Sequence, residues 1–143
     1  MRSINCKKRK YSLCLVLVCA LLLWSNGCSI EKANRTKVRD LDYQIVVAEE
    51  IPEELMVQIE EKKAADFKLS FETPDSVYIV RGYGEQATGG YSICVRELYL
   101  STNAVFFSTE LIGPRKGETV NKSPSFPYIV IKTERTEKNV VFE

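Results

Sequence analysis

From Phe67 to Ile112 apolar and polar residues alternate with a period near two, in short runs separated by breaks rich in Gly, Ser and Asn. Successive side chains of a strand point to opposite faces, so this pattern buries one face of a sheet and cannot build the stripe of a helix. Residues 67–71 (FKLSF) put Phe67, Leu69 and Phe71 on one face. Residues 76–84 (SVYIVRGYG) are apolar on both faces in their middle. Residues 90–100 (GYSICVRELYL) alternate through Tyr91, Ile93 and Val95, then change phase to Leu98 and Leu100. That change predicts a bulge near Arg96 and Glu97. Residues 104–112, 127–134 and 140–143 continue the series, and 43–48 (YQIVVA) precedes it as a short β-branched strand.

One segment departs from this period. Over residues 52–64, Leu55, Met56 and Ile59 form a helical stripe. Pro52 suits the first helical position, Glu53 and Glu54 the positive end of the helix dipole, and Lys62 and Lys63 its negative end. The expected fold class is mainly β (α+β): an antiparallel β sheet or sandwich with one short N-terminal helix.

The N-terminus follows another logic. Arg2, Lys7, Lys8, Arg9 and Lys10 form a basic start without an acidic residue, followed by an apolar run from Tyr11 to Trp24 and small residues before Cys28. That order is the signature of an export signal, and the run is short for a membrane span of about 20 residues. The stretch LLLWSNGCS resembles the lipobox of bacterial lipoproteins, in which cleavage precedes a cysteine that becomes lipidated. Gly27 fits that pattern, whereas Ser25 stands where Leu is usual. The expected organisation is a signal over 1–27, a tether over 28–40 starting at lipidated Cys28, and a single β-rich domain over 41–143. The expected location is the cell membrane, lipid-anchored and facing away from the cytoplasm.

Charge and cysteine content bound the partners. The full chain has 20 basic and 19 acidic residues; the signal takes five basic ones with it, leaving a net charge of −4. That balance argues against nucleic acid as a partner. Only Cys94 remains beyond Cys28, so the domain has no partner for an internal disulfide.

Two loops invite a functional reading. If 76–84, 90–100 and 104–112 form a meander, loop 84–90 and the long loop 113–127 emerge at the same end, with residues 101–103 at the other. Long loops in compact domains are often functional. Gln86 and Thr88 are polar residues near the tip of the first loop. Gly89 and Gly90 lack Cβ atoms, which suits either a tight turn or the close approach of a partner's backbone. Tyr91, an aromatic heading the inward face, is either core or part of the contact, and Tyr83 either flanks the loop or packs on a neighbour. The second loop carries Pro114, Arg115, Lys116 and Phe126.

The available chemistry is narrow. A chain without histidine has no Ser–His–Asp arrangement. Cys and His clusters of metal-site spacing are absent from the sequence. The glycines of GYGEQATGG lead into a strand and not a helix, so they do not form a phosphate loop. A carboxylate pair for glycoside hydrolysis stays open at this level. The expectation is a non-enzymatic protein with no cofactor and no metal.

The stretch Gly84-Glu85-Gln86-Ala87-Thr88-Gly89-Gly90-Tyr91-Ser92-Ile93 resembles the core motif of the PrcB C-terminal domain family. Gly113-Pro114, Gly117, Val120 and the strand Pro127-Tyr128-Ile129-Val130 fall where that family places a Pro-Gly loop and a final strand. The resemblance covers about residues 76–133, with Gln86 and Ala87 departing from the usual pattern. It implies a bacterial surface lipoprotein that associates with another extracytoplasmic protein, as the family's namesake does with a secreted protease. The Thr-Gly-Gly-Tyr loop is also similar to the loop of chagasin-type protease inhibitors, which implies inhibition by converging loops as one alternative. A structural envelope lipoprotein without a discrete site is the other.

Overall fold

The computed structural model describes residues 32–143; the expected signal and Cys28 lie outside them. The elements are β1 (Lys37–Asp40), β2 (Tyr43–Ile45), a single 3-10 turn (Ala48–Glu50), α1 (Glu53–Lys62), β3 (Asp66–Glu72), β4 (Ser76–Tyr83), β5 (Ser92–Ser101), β6 (Val105–Ile112), β7 (Tyr128–Glu134) and β8 (Val140–Phe142). They form two four-stranded sheets, ordered β1-β5-β6-β8 and β2-β7-β4-β3. Every pairing is antiparallel except β6 with β8. No helix of the described residues is long and apolar enough to cross a membrane.

The alternation explains the layers. Val77 and Ile79 of β4 and Ile129 and Ile131 of β7 meet Leu98, Val105 and Phe107 of the other sheet. The intervening residues of the β4–β7 sheet, Tyr78, Val80 and Val130, face α1 and pack with Leu55, Ile59 and Phe67. Strand β4 is therefore apolar on both faces because both are covered. Leu55 and Ile59, one helical turn apart, are fully buried, each contributing about 1.5–3 kcal/mol relative to exposure.

The expected bulge is present. The β5–β6 register shifts between Val95 and Glu97, so Ile93 and Val95 before it and Leu98 and Leu100 after it reach the same core. Across β3 and β4, Phe67 pairs with Gly82. A Cβ on Gly82 would fall 1.9 Å from Cε1 of Phe67, so the aromatic ring occupies the space that glycine leaves.

Two expectations are corrected. Strands 76–83 and 92–101 do not form a meander, because they belong to different sheets. Both edges of β4 are taken, by β3 and β7, so the chain crosses to the facing sheet through residues 84–91. Second, Lys37–Asp40, which mixed charge assigned to the tether, is strand β1. All four of its residues are exposed, and it is held by backbone pairing to β5 and an ion pair between Arg39 and Glu134. A charged edge strand needs no buried face of its own, and its charges discourage further pairing. Leu41 follows it into the core, its N–H donating to the carbonyl of Leu98 at 3.1 Å.

Candidate protein-binding site

Loop 84–91 leaves β4 at a glycine. Gly84 has φ of 70°, and a Cβ there would stand 3.0 Å from the backbone of Ala65 and Asp66. The loop thus starts against the chain leaving α1, and the N–H of Glu85 donates to the carbonyl of Ala64 at 3.3 Å. The next contacts are with loop 113–127. Gln86 and Ser125 exchange both backbone hydrogen bonds, at 2.8 and 3.0 Å. The N–H of Gly89 donates to the carbonyl of Asn121 at 2.8 Å, and the hydroxyl of Ser125 to the carbonyl of Thr88 at 2.7 Å. The two loops lie side by side, as expected, although a crossover and not a meander brings them together.

Their base ties the two sheets. The hydroxyl of Tyr83, at the end of β4, lies 2.7 Å from Oγ1 of Thr109 in β6. Its backbone N–H donates to the carbonyl of Pro127 at 3.0 Å, and its carbonyl accepts from Nε2 of Gln86 at 3.0 Å. Arg81 stacks 4.1 Å from the Tyr83 ring centroid and bonds Asp66 at 2.7 Å.

The expected site residues divide into two groups. Gln86 turns its amide back onto Tyr83, and Thr88 and Gly89 use backbone groups within the loop pair. Gly90 has φ of 84°, and a Cβ on it would lie 2.5 Å from Cγ1 of Val120 and 3.2 Å from Cβ of Pro114. Its missing side chain makes room for the second loop. Gly89, by contrast, has only Asn121 Cβ at 3.5 Å from such an atom. Tyr91 is half-buried, and a Cβ on Gly113 would lie 3.3 Å from its ring. Phe126 is half-buried and turned toward the end of α1, its ring centroid 5.8 Å from Nζ of Lys63. Arg115 and Lys116 are exposed at the rim.

The exposed residues of the loop pair are Glu85, Ala87, Gly90, Gly113, Arg115–Thr119 and Asn121–Pro124. Beside them opens a cleft of about 580 Å³, lined by residues that include Gly90, Ser92, Ile112, Gly113, Arg115 and Glu118. Ser92 and Ile112, the last pair of the β5–β6 ladder, line this cleft and are not among the expected site residues. The signal was available: Ile112 has the outward parity of Ser108 and Glu110, which leaves a large apolar side chain 46% exposed. Among the described residues no group of His, Cys, Asp and Glu is arranged to hold a metal ion. Cys94 is half-buried and unpaired by disulfide.

Residues 77–134 match the family model described as PrcB C-terminal. No curated protein and no solved structure matches the chain. The matched segment runs from β4 to the end of β7. It contributes the two central strands of each sheet and both loops, leaving β1, β2, β3, β8 and α1 as flanking additions.

Proposed function

Residues 77–134 match the PrcB C-terminal family, and on that premise we propose that this chain is a non-catalytic, exported lipoprotein. Its paired loops dock another extracytoplasmic protein, with a secreted protease as the partner class suggested by the family. The observation that supports the reading is the construction of the loop pair. Five hydrogen bonds between or within the loops and their base (Gln86–Ser125 twice, Gly89–Asn121, Ser125–Thr88 and Gln86–Tyr83) hold an exposed edge in one shape. A surface ordered before binding loses less entropy when a partner docks.

Gly89→Arg tests the docking edge. Gly89 has no left-handed φ and no atom within 3.5 Å of a new Cβ, so the variant keeps the fold while placing a long cation at the loop tip. Partner recovery from membranes of the source organism should fall relative to wild type. Equal recovery by a folded Gly89→Arg protein would refute the docking edge. Anchoring is tested separately: labelled fatty acid should enter the wild-type chain and not Cys28→Ala.

A further inference from the structure

The cleft beside the loop pair has an unusual charge balance. Arg35, Arg39, Arg81, Arg96 and Arg135 each pair with a carboxylate. Arg115 is the one arginine among the described residues with no such partner. The carboxylate nearest in the turn is already engaged: Oε2 of Glu118 accepts the backbone N–H of Arg115 at 2.8 Å. The N–H of Glu118 in turn donates to the carbonyl of Arg115 at 3.0 Å, and Gly117, with φ of 87°, closes the turn. One oxygen of Glu118 is thus committed to the backbone of the turn, and although its carboxylate also lines the cleft it makes no ion pair with the Arg115 guanidinium. Lys116, also without an ion pair, lines the same cleft.

The rest of the cleft indicates what meets this charge. Gly90 and Gly113 give it walls without side chains, Ile112 supplies an exposed apolar contact, and Ser92 an exposed hydroxyl. A guanidinium fork pairs best with a planar carboxylate, and open glycine backbone beside an apolar residue suits an extended peptide.

We infer that the cleft binds a carboxylate carried by an acidic, apolar-flanked segment of the partner protein, with Arg115 as the fork that receives it and Ile112 as the apolar contact. This rests on the reading of the loop pair as a docking edge. The carboxylate comes from an Asp or Glu side chain or from a chain terminus.

The test uses the full chain, isotope-labelled and held in neutral detergent, titrated with four probes. They are acetyl-Gly-Leu-Glu-Leu-Gly-amide, its Gln analogue, acetyl-Gly-Leu-Gly-Leu with a free C-terminal carboxylate, and inorganic phosphate. Amide shifts confined to Gly90, Ser92, Ile112, Gly113 and residues 115–118 should follow the Glu peptide, the free-terminus peptide, or both, and so identify the source. They should weaken with salt and lose about tenfold in affinity in Arg115→Gln, as expected for one lost charge-assisted hydrogen bond. Equal saturation by the Gln peptide, equal shifts with phosphate, unchanged affinity in Arg115→Gln, or no shift at about 10 mM peptide would each overturn the inference. If Gly89→Arg loses the partner while Arg115→Gln keeps it, only this inference fails. If Gly89→Arg keeps the partner, the docking edge itself fails.

Discussion

Adjacent glycines at the loop tip carry unequal demands, and alanine substitution separates them. At Gly90 the backbone lies at φ of 84°, a region that costs an L-residue about 1–2 kcal/mol. The new methyl would also stand 2.5 Å from Cγ1 of Val120. Val120 is half-buried, so relief of the overlap falls toward the lower part of the usual overpacking cost of about 1–3 kcal/mol. Gly90→Ala should therefore destabilise the domain by about 2–4 kcal/mol. At Gly89 the φ is not left-handed and the nearest atom is Asn121 Cβ at 3.5 Å, an ordinary contact. There alanine chiefly narrows the unfolded ensemble, so Gly89→Ala should be neutral or stabilise by up to about 1 kcal/mol. Urea denaturation followed by far-ultraviolet circular dichroism reads both as midpoint shifts at constant slope. Adding Val120→Ala to Gly90→Ala should cost less than the two single changes summed, because the overlap is removed while the φ cost stays. Coincident midpoints for the two alanine variants would refute the assignment of Gly90 as the residue on which the loops close.

Two further outcomes follow from the sheets. Gly82→Ala should cost about 1–3 kcal/mol by displacing the buried Phe67 ring, yet less than about 1 kcal/mol when Phe67 is already Ala; thermal melts of the four proteins decide it, and an unchanged cost would remove the ring–glycine pairing as the cause. The cycle of Tyr83→Phe with Thr109→Val should return a coupling of about 0.5–1.5 kcal/mol for their hydrogen bond, and zero coupling in denaturation would show that this link does not hold the sheets together.

The strands and the helix were legible because their periods are strong and local. The bulge was legible too, since the phase change from Val95 to Leu98 has no other geometric cause in a strand. The partition into sheets was not. Consecutive strands usually pair, and nothing local tells β5 that both edges of β4 are occupied. Strand β1 was hidden for a related reason: Lys37–Asp40 has no apolar alternation, and only its pairing with β5 makes it a strand. At the loops, the sequence placed Gly89 and Gly90 together as one flexible pair. Which of the two turns left-handed, and which amide is already bonded to Asn121, depends on Pro114, Val120 and Asn121, 24 to 32 positions further along the chain.

The direction of β5 has a consequence for reach. The strand begins at Ser92, beside the loop pair, and ends at Ser101, where β1 starts alongside it and Asn34 donates to Oδ1 of Asn103 at 2.8 Å. The chain therefore enters the fold at the pole opposite the loops. Ten residues of β5 at about 3.3 Å each set that separation near 30 Å. Under the proposed docking reading, the contact edge therefore lies a full strand length from the point at which the chain enters the sandwich, so attachment at one pole and contact at the other do not compete for the same surface.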